Sequence, residues 1–348
     1  MAAASRLPPP PKTADLLVSL DPAQREGLER VRAIALAREH FELDASTDGV
    51  EVDAAPFGVT VHSSDRAVVV VSSDDLAVLG GVLVWVDRLG LDSVALVTEY
   101  NAGVHARRAA VLAPEITVHE LNGAAVAPAI ATPIAEPRAG LPDLAVLVAV
   151  IERSGAQVVE EDGIMRAEVA GLEVGRIVDA PTGPILEVGV GRFDREAGAL
   201  LHSDRPAEPN LVSTIELVSA HRRAGAPSHA INRIGRERWL RDVVRTNPGE
   251  WGLTEVALVE PIPPRTSLLE AGPAALMADR DGVRTLVVCS VGVELGLVPE
   301  LADLVTRHGP DTVLVLIPAR DQLPFLARLS GRLPVPTSMA HIEVPWAD

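Results

Sequence analysis

At 348 residues and a formal net charge of −17 at pH 7, the chain has room for two or three domains. Its charge repels polyanions, which excludes broad nucleic-acid or membrane contact and leaves only a local basic patch to make one. Hydrophobic residues make up 47% and aromatics 3%, so the core is aliphatic; the single cysteine, Cys289, excludes an intramolecular disulfide and a cysteine-based zinc centre.

Residues 1–13, with Pro8–Pro11, read as a disordered, proline-rich tail without the apolar stretch of a signal peptide. Asp21-Pro22-Ala23-Gln24 supplies an N-cap, a proline in the first helical position and a capping-box glutamine. Leu28, Val31, Ile34 and Ala35 then recur at helical spacing, so a helix is predicted here. After Asp48-Gly49 come three expected strands, Val50–Ala54, Gly58–His62 and Ala67–Val71. Leu76–Arg88 and Ala102–Leu112 read as helices around a strand at Val94–Val97, with a last strand in ITVHEL (116–121). These elements make a first copy, residues 14–128. Within it Arg107-Arg108 reads as a solvated helix face, and His62 and His119 as structural strand residues.

Residues 129–140 form a proline-containing linker. The second copy, 141–348, opens with a helix through Leu144, Leu147, Val148 and Ile151, ended by Gly155. Asp162-Gly163 and strands at Met165–Val169, Leu172–Val178 and Ile185–Val190 match the first meander. An insertion follows at about 203–283. The series from Thr285 through Leu297–His308, TVLVLI (312–317), Leu323–Leu329 and SMAHI (338–342) then repeats the strand–helix alternation of Ala67–Leu121. The expected fold class is α/β. It comprises two tandem copies of a mixed sheet unit (helix, three-strand meander, βαβαβ-like half) flanked by helices, the second with a helical insertion.

Candidate sites are sparse. Glu187, Gly189 and Gly191 share one strand face, a carboxylate on bare backbone with room for metal or phosphate, or else a solvated edge. Gly189-Val190-Gly191 before Asp194 echoes part of a dinucleotide fingerprint, and Ser290–Gly296, which holds Glu294, is a second glycine-containing turn before a helix. Residues 221–246 hold seven arginines against Glu237 and Asp242. Arg222, Arg223, Arg233, Arg236, Arg241 and Arg245 are the candidate binding residues, either for phosphate and nucleic acid or for the protein's own acidic surface.

A helix, a three-stranded meander, then helix–strand–helix–strand resembles the core order of the PD-(D/E)XK restriction-endonuclease-like superfamily. ILEVGVGRFDREA and LVVCSVGVELGLVPELADL also resemble a family of uncharacterised high-GC actinobacterial proteins, to which no activity attaches. The nuclease resemblance implies an acid on or after the second strand and Glu/Asp-x-Lys on the third, which together hold Mg²⁺ or Mn²⁺ and an attacking water. Asp179 and Glu187 match these places in the second copy, as candidate catalytic and metal-binding residues. Gly189 stands where the lysine belongs, and the first copy has no acid on its third strand. The signature is degenerate. The expectation is therefore a cytoplasmic, non-catalytic binding or scaffold protein without a cofactor, contacting nucleic acid or an acidic partner through the Arg-rich insertion, with no membrane contact. The alternative is a divalent-metal-dependent nuclease or phosphodiesterase using copy two only.

Overall fold

The computed structural model describes residues 21–201, 206–265 and 267–347. The expected tail at 1–13 and the expected start of the insertion near 203 lie outside them. The fold is α/β with three sheets. Two compact units divide the chain, residues 21–133 with 332–334, and residues 134–331 with 335–347. No helix among the described residues is long and apolar enough to cross a membrane.

In the first unit, α1 (Pro22–Phe41) starts where its capping box places it. The Asp21 carboxylate accepts from the Gln24 amide at 2.9 Å, and the Gln24 side chain accepts from the Asp21 amide at 3.4 Å. β1 (Glu51–Ala55), β2 (Gly58–His62) and β3 (Arg66–Val71) form an antiparallel meander. Crossovers through α2 (Val78–Leu89) and α3 (Ala102–Leu112) add β4 (Ser93–Thr98) and β5 (Ile116–Asn122), each parallel to the strand before it. An antiparallel β6 (Ala125–Pro128) completes six strands. Ala33, Leu36 and Ala37 of α1 pack on Val59, Val61, Val68 and Val70 of the meander, and on Val97. Arg108 is buried, not solvated as expected, because α3 presents that face inward with His105 and Leu112.

The second unit begins with α4 (Ala145–Arg153) and a purely antiparallel sheet. Its strands are β7 (Gln157–Glu161), β8 (Ile164–Val169), β9 (Leu172–Ala180) and β10 (Gly183–Val188), in that spatial order. α5 (Gly191–Leu201), α6 (Ala207–His221) and α7 (Arg236–Thr246) follow. A five-stranded sheet comes next. β11 (Thr254–Val259), β12 (Ala274–Arg280) and β13 (Val283–Cys289) are antiparallel; β14 (Thr312–Ile317) and β15 (Thr337–His341) are parallel additions through α8 (Leu297–His308) and α9 (Pro324–Ser330). Trp239, Leu240 and Val244 of α7 pack on Leu276, Val287, Cys289 and Leu314. Cys289 is fully buried, and burial pushes its thiol up to about 12.

The six- and five-stranded sheets are the repeated unit. In both, a helix packs on three antiparallel strands, and two parallel strands follow through helical crossovers. The repeat begins later than the sequence suggests. The second copy's helix is α7 and its first strands are β11 and β12, all inside the stretch expected to be an insertion. The meander over 157–188 is a third, separate sheet. Both meanders sit after a helix and turn through Asp-Gly, at 162–163 and 281–282, so local pattern favours neither. Only hydrogen bonding of β13 to β14 decides between them.

That third sheet is two-faced. Ala167, Leu172, Ile177 and Leu186 bury against Ile151 of α4 and Leu211 and Val218 of α6. The opposite face carries Glu161, Arg166, Glu168, Glu173, Arg176 and Glu187. A bulge between β8 and β9 sets this pattern: Arg166 pairs with Arg176 and Glu168 with Glu173, leaving one extra residue on β9. The extra residue returns Glu173 to the Arg176 face, which strict alternation would deny it.

Candidate functional site

The charged face is covered from two directions. From α7, Arg238 reaches Glu161 and Glu168, and Arg241 bonds Glu168 at 3.0 Å. From α5, Arg195 donates to Glu173 at 2.8 Å. Arg166 donates to the same Glu173 and lies 3.6 Å from Glu161. This is a continuous layer of alternating guanidinium and carboxylate groups, with side chains almost wholly withdrawn from water.

The layer does not close over. A cavity of about 890 Å³ opens beside it, lined by seven arginines, Arg138, Arg166, Arg176, Arg192, Arg195, Arg238 and Arg265, against three carboxylates, Asp162, Glu173 and Asp194. Glu161, Glu168 and Glu187 pair with these arginines yet do not line the cavity. They anchor the guanidinium groups from outside the lining, and each guanidinium has five donors to share. Arg195 is 93% buried, and its Nε has no hydrogen-bond acceptor; the nearest carboxylate, Glu187, is at 3.7 Å. Arg166 Nε is likewise without an acceptor.

Electrostatics mark the same place. Burial, and then the charges of neighbouring Arg176 and Arg166, pull the Arg195 pKa down although Glu173 and Glu187 oppose them. Burial and Arg238 do the same to Arg265, whose guanidinium donates to the Pro273 carbonyl. Cations crowded in a desolvated space favour an anion among them.

Val190 and the first turn of α5, through Gly191, Arg192, Phe193 and Asp194, supply one further part of the wall. First-turn amides have no acceptor within their own helix. The strand-to-helix turn requires glycine. Gly189 has φ +143°, and a β-carbon there would lie 2.9 Å from the Arg195 amide nitrogen. Close packing thus explains Gly189, and no dinucleotide fingerprint is completed.

The residues singled out in the sequence fall differently. Asp179 pairs with Pro184 and Glu187 with Arg176, which separates the two carboxylates by three positions on adjacent strands. An odd offset puts them on opposite faces of the sheet. Asp179 is exposed, while Glu187 is held by Arg176 at 3.4 Å. The structure therefore does not bring the expected metal pair together. Among the described residues, one group has metal-ligand spacing: Glu51, Asp53 and His62 on β1 and β2, both acids exposed.

The Arg-rich stretch turns largely inward. Arg222, 3% exposed, donates to the carbonyls of Ala170, Ile231, Ile234 and Gly235 and stacks 4.4 Å from the Trp239 ring. Burial pulls its pKa to about 10. Arg241 is buried on Glu168, Arg245 pairs with Asp242, and Arg236 lies over Trp346. Of the six, only Arg223 and Arg233 are exposed. An acidic chain supplies its own partners for a basic helix, and they outcompete solvent once the helix is docked.

Sequence reasoning missed Arg166, Arg176, Arg195, Arg238 and Arg265. One signal was present: IMRAEV in β8 sets Arg166 and Glu168 two positions apart among apolar residues, the spacing of one strand face. No protein-family model, curated protein or solved structure matches the chain.

Proposed function

We propose that this chain is a non-catalytic binding protein that takes an anionic ligand in the arginine-lined cavity of its second unit. The observation that carries this reading is the lining itself, seven guanidinium groups against three carboxylates around one space, with Glu161, Glu168 and Glu187 pairing with these arginines from outside the lining. The ligand is a phosphate-class anion, because guanidinium forks match phosphate oxygens and a helix start adds amide donors.

The scaffold is a degenerate nuclease-like unit, present twice. Helix, antiparallel meander and parallel crossovers occur in both sheets in the order that the PD-(D/E)XK resemblance implies. The third strands, RAVVVV and VRTLVVC, carry no acid. Asp179 and Glu187 belong to a different sheet and diverge. These facts favour binding over metal-dependent hydrolysis. A cytoplasmic location fits a chain with one cysteine, fully buried.

Titration calorimetry with inorganic pyrophosphate at low salt tests the reading. Saturable one-site binding is expected, weakening with added NaCl. In R176Q/R192Q affinity falls at least tenfold while the thermal midpoint is kept, since Arg192 is exposed and Arg176 partly so. Absence of binding to the wild-type chain, or equal binding to the variant, overturns it.

A further inference from the structure

The cavity is more than a cradle for an inorganic anion. Phe193 is 86% exposed and Leu269 78% exposed, and both line it. The chain has only four phenylalanines. One of them stands in water on the first turn of α5, between Arg192 and Asp194 and two residues from Arg195. A single helical turn thus offers an aromatic face and two guanidinium groups to the same space. Ile164, Ile234 and Leu268 line the cavity as well. At about 890 Å³ it exceeds the need of a phosphate many times over and falls in the range of sites for whole organic ligands.

Resting on the anion-binding reading, we infer that the ligand is a nucleoside diphosphate, its phosphates among Arg176, Arg195 and Arg265 and its base against Phe193. An aromatic ring in solvent beside a cationic pocket gains most from a flat partner, and base–aromatic stacking is tolerant of which base is offered. A pyrophosphate with an alkyl tail shares the anionic head and is the competing source of the same chemistry.

ADP, GDP, CDP, UDP, inorganic pyrophosphate and isopentenyl pyrophosphate are each titrated into the full chain by calorimetry. At least one nucleoside diphosphate is expected to bind about tenfold or more tighter than pyrophosphate. Phe193→Ala removes that margin, read against pyrophosphate in the same variant, and Phe193→Tyr keeps it. If every nucleoside diphosphate binds like pyrophosphate, if the margin survives Phe193→Ala, or if isopentenyl pyrophosphate binds tightest, the inference falls and anion binding stands. If nothing binds, both fall.

Discussion

Arg238 and Glu161 meet end to end: one guanidinium nitrogen lies 2.9 Å from each carboxylate oxygen, with 7% and 4% of the two side chains exposed. The residues are 77 positions apart. Arg238 sits on α7, whose neighbouring residues Trp239 and Leu240 belong to the core of the five-stranded sheet; Glu161 ends the edge strand of the four-stranded one. The pair therefore ties the second copy of the repeat to the additional sheet. Glu161→Gln is expected to cost about 3–5 kcal/mol, because Arg238 is left buried with half its partner gone. Urea unfolding measures it. Glu161→Met with Arg238→Met should recover much of the loss, since an apolar pair leaves no stranded charge.

Gly171 is the second tie. It turns β8 into β9 at φ +72°, and a β-carbon there would sit 2.3 Å from the Arg238 carbonyl carbon and oxygen. Gly171→Ala forces the turn away from α7 and strains a left-handed residue at once. A loss above about 2 kcal/mol is expected in urea unfolding. At Gly123, also left-handed but with nothing within 4 Å, alanine should cost about 1 kcal/mol.

His105 makes stability depend on pH. Its ring nitrogens are buried without a partner, and burial, then the charge of Arg108, lowers its pKa to about 4. The unfolded chain takes up a proton near pH 6.5 that the folded chain refuses until about pH 4. Its stability contribution is therefore full above the unfolded pKa and is lost as pH falls across that window. From pH 7 to pH 5 the loss is about 2 kcal/mol. Glu294 acts in the opposite sense: burial raises it to about 7, so stability is lost as pH rises from 4.5 towards 7. Comparing wild type with His105→Leu at both pH values isolates the histidine, and the variant should lack that part of the slope.

Manganese titration should show no heat that depends on Glu187. The carboxylates of Asp179 and Glu187 face opposite ways across β9 and β10, and Glu187 already serves Arg176. Glu187→Ala should leave any Mn²⁺ isotherm as it is in the wild type. A binding step lost in that variant would restore the nuclease alternative.

Parts of the fold were legible in the chain. The apolar runs at Val68–Val71, Leu286–Val288 and Val313–Leu316 announce strands buried on both faces, and Asp21 and Gln24 fix a helix start to the residue. The register of the repeat was not legible, because β8 to β10 and β11 to β13 are equally good meanders until one of them pairs with β14. The site was hidden for a different reason. Arg166 and Glu168 look from sequence like the solvated side of an amphipathic sheet, and the offset of three between Glu173 and Arg176 hides that the bulge brings both to that same side. Glu173 is buried by Arg195 of α5, and Glu168 by α7, arriving some seventy residues later through Arg238 and Arg241. The density of arginine in that helix was visible, but the direction in which it acts was set by carboxylates far away in the chain.

Crystals of the chain soaked in tungstate, a heavy phosphate mimic, give the most direct measurement of where an anion goes. An anomalous peak is expected among Arg176, Arg195, Arg265 and the first turn of α5. A peak only at the exposed Arg223 or Arg233, with the cavity empty, would contradict the account.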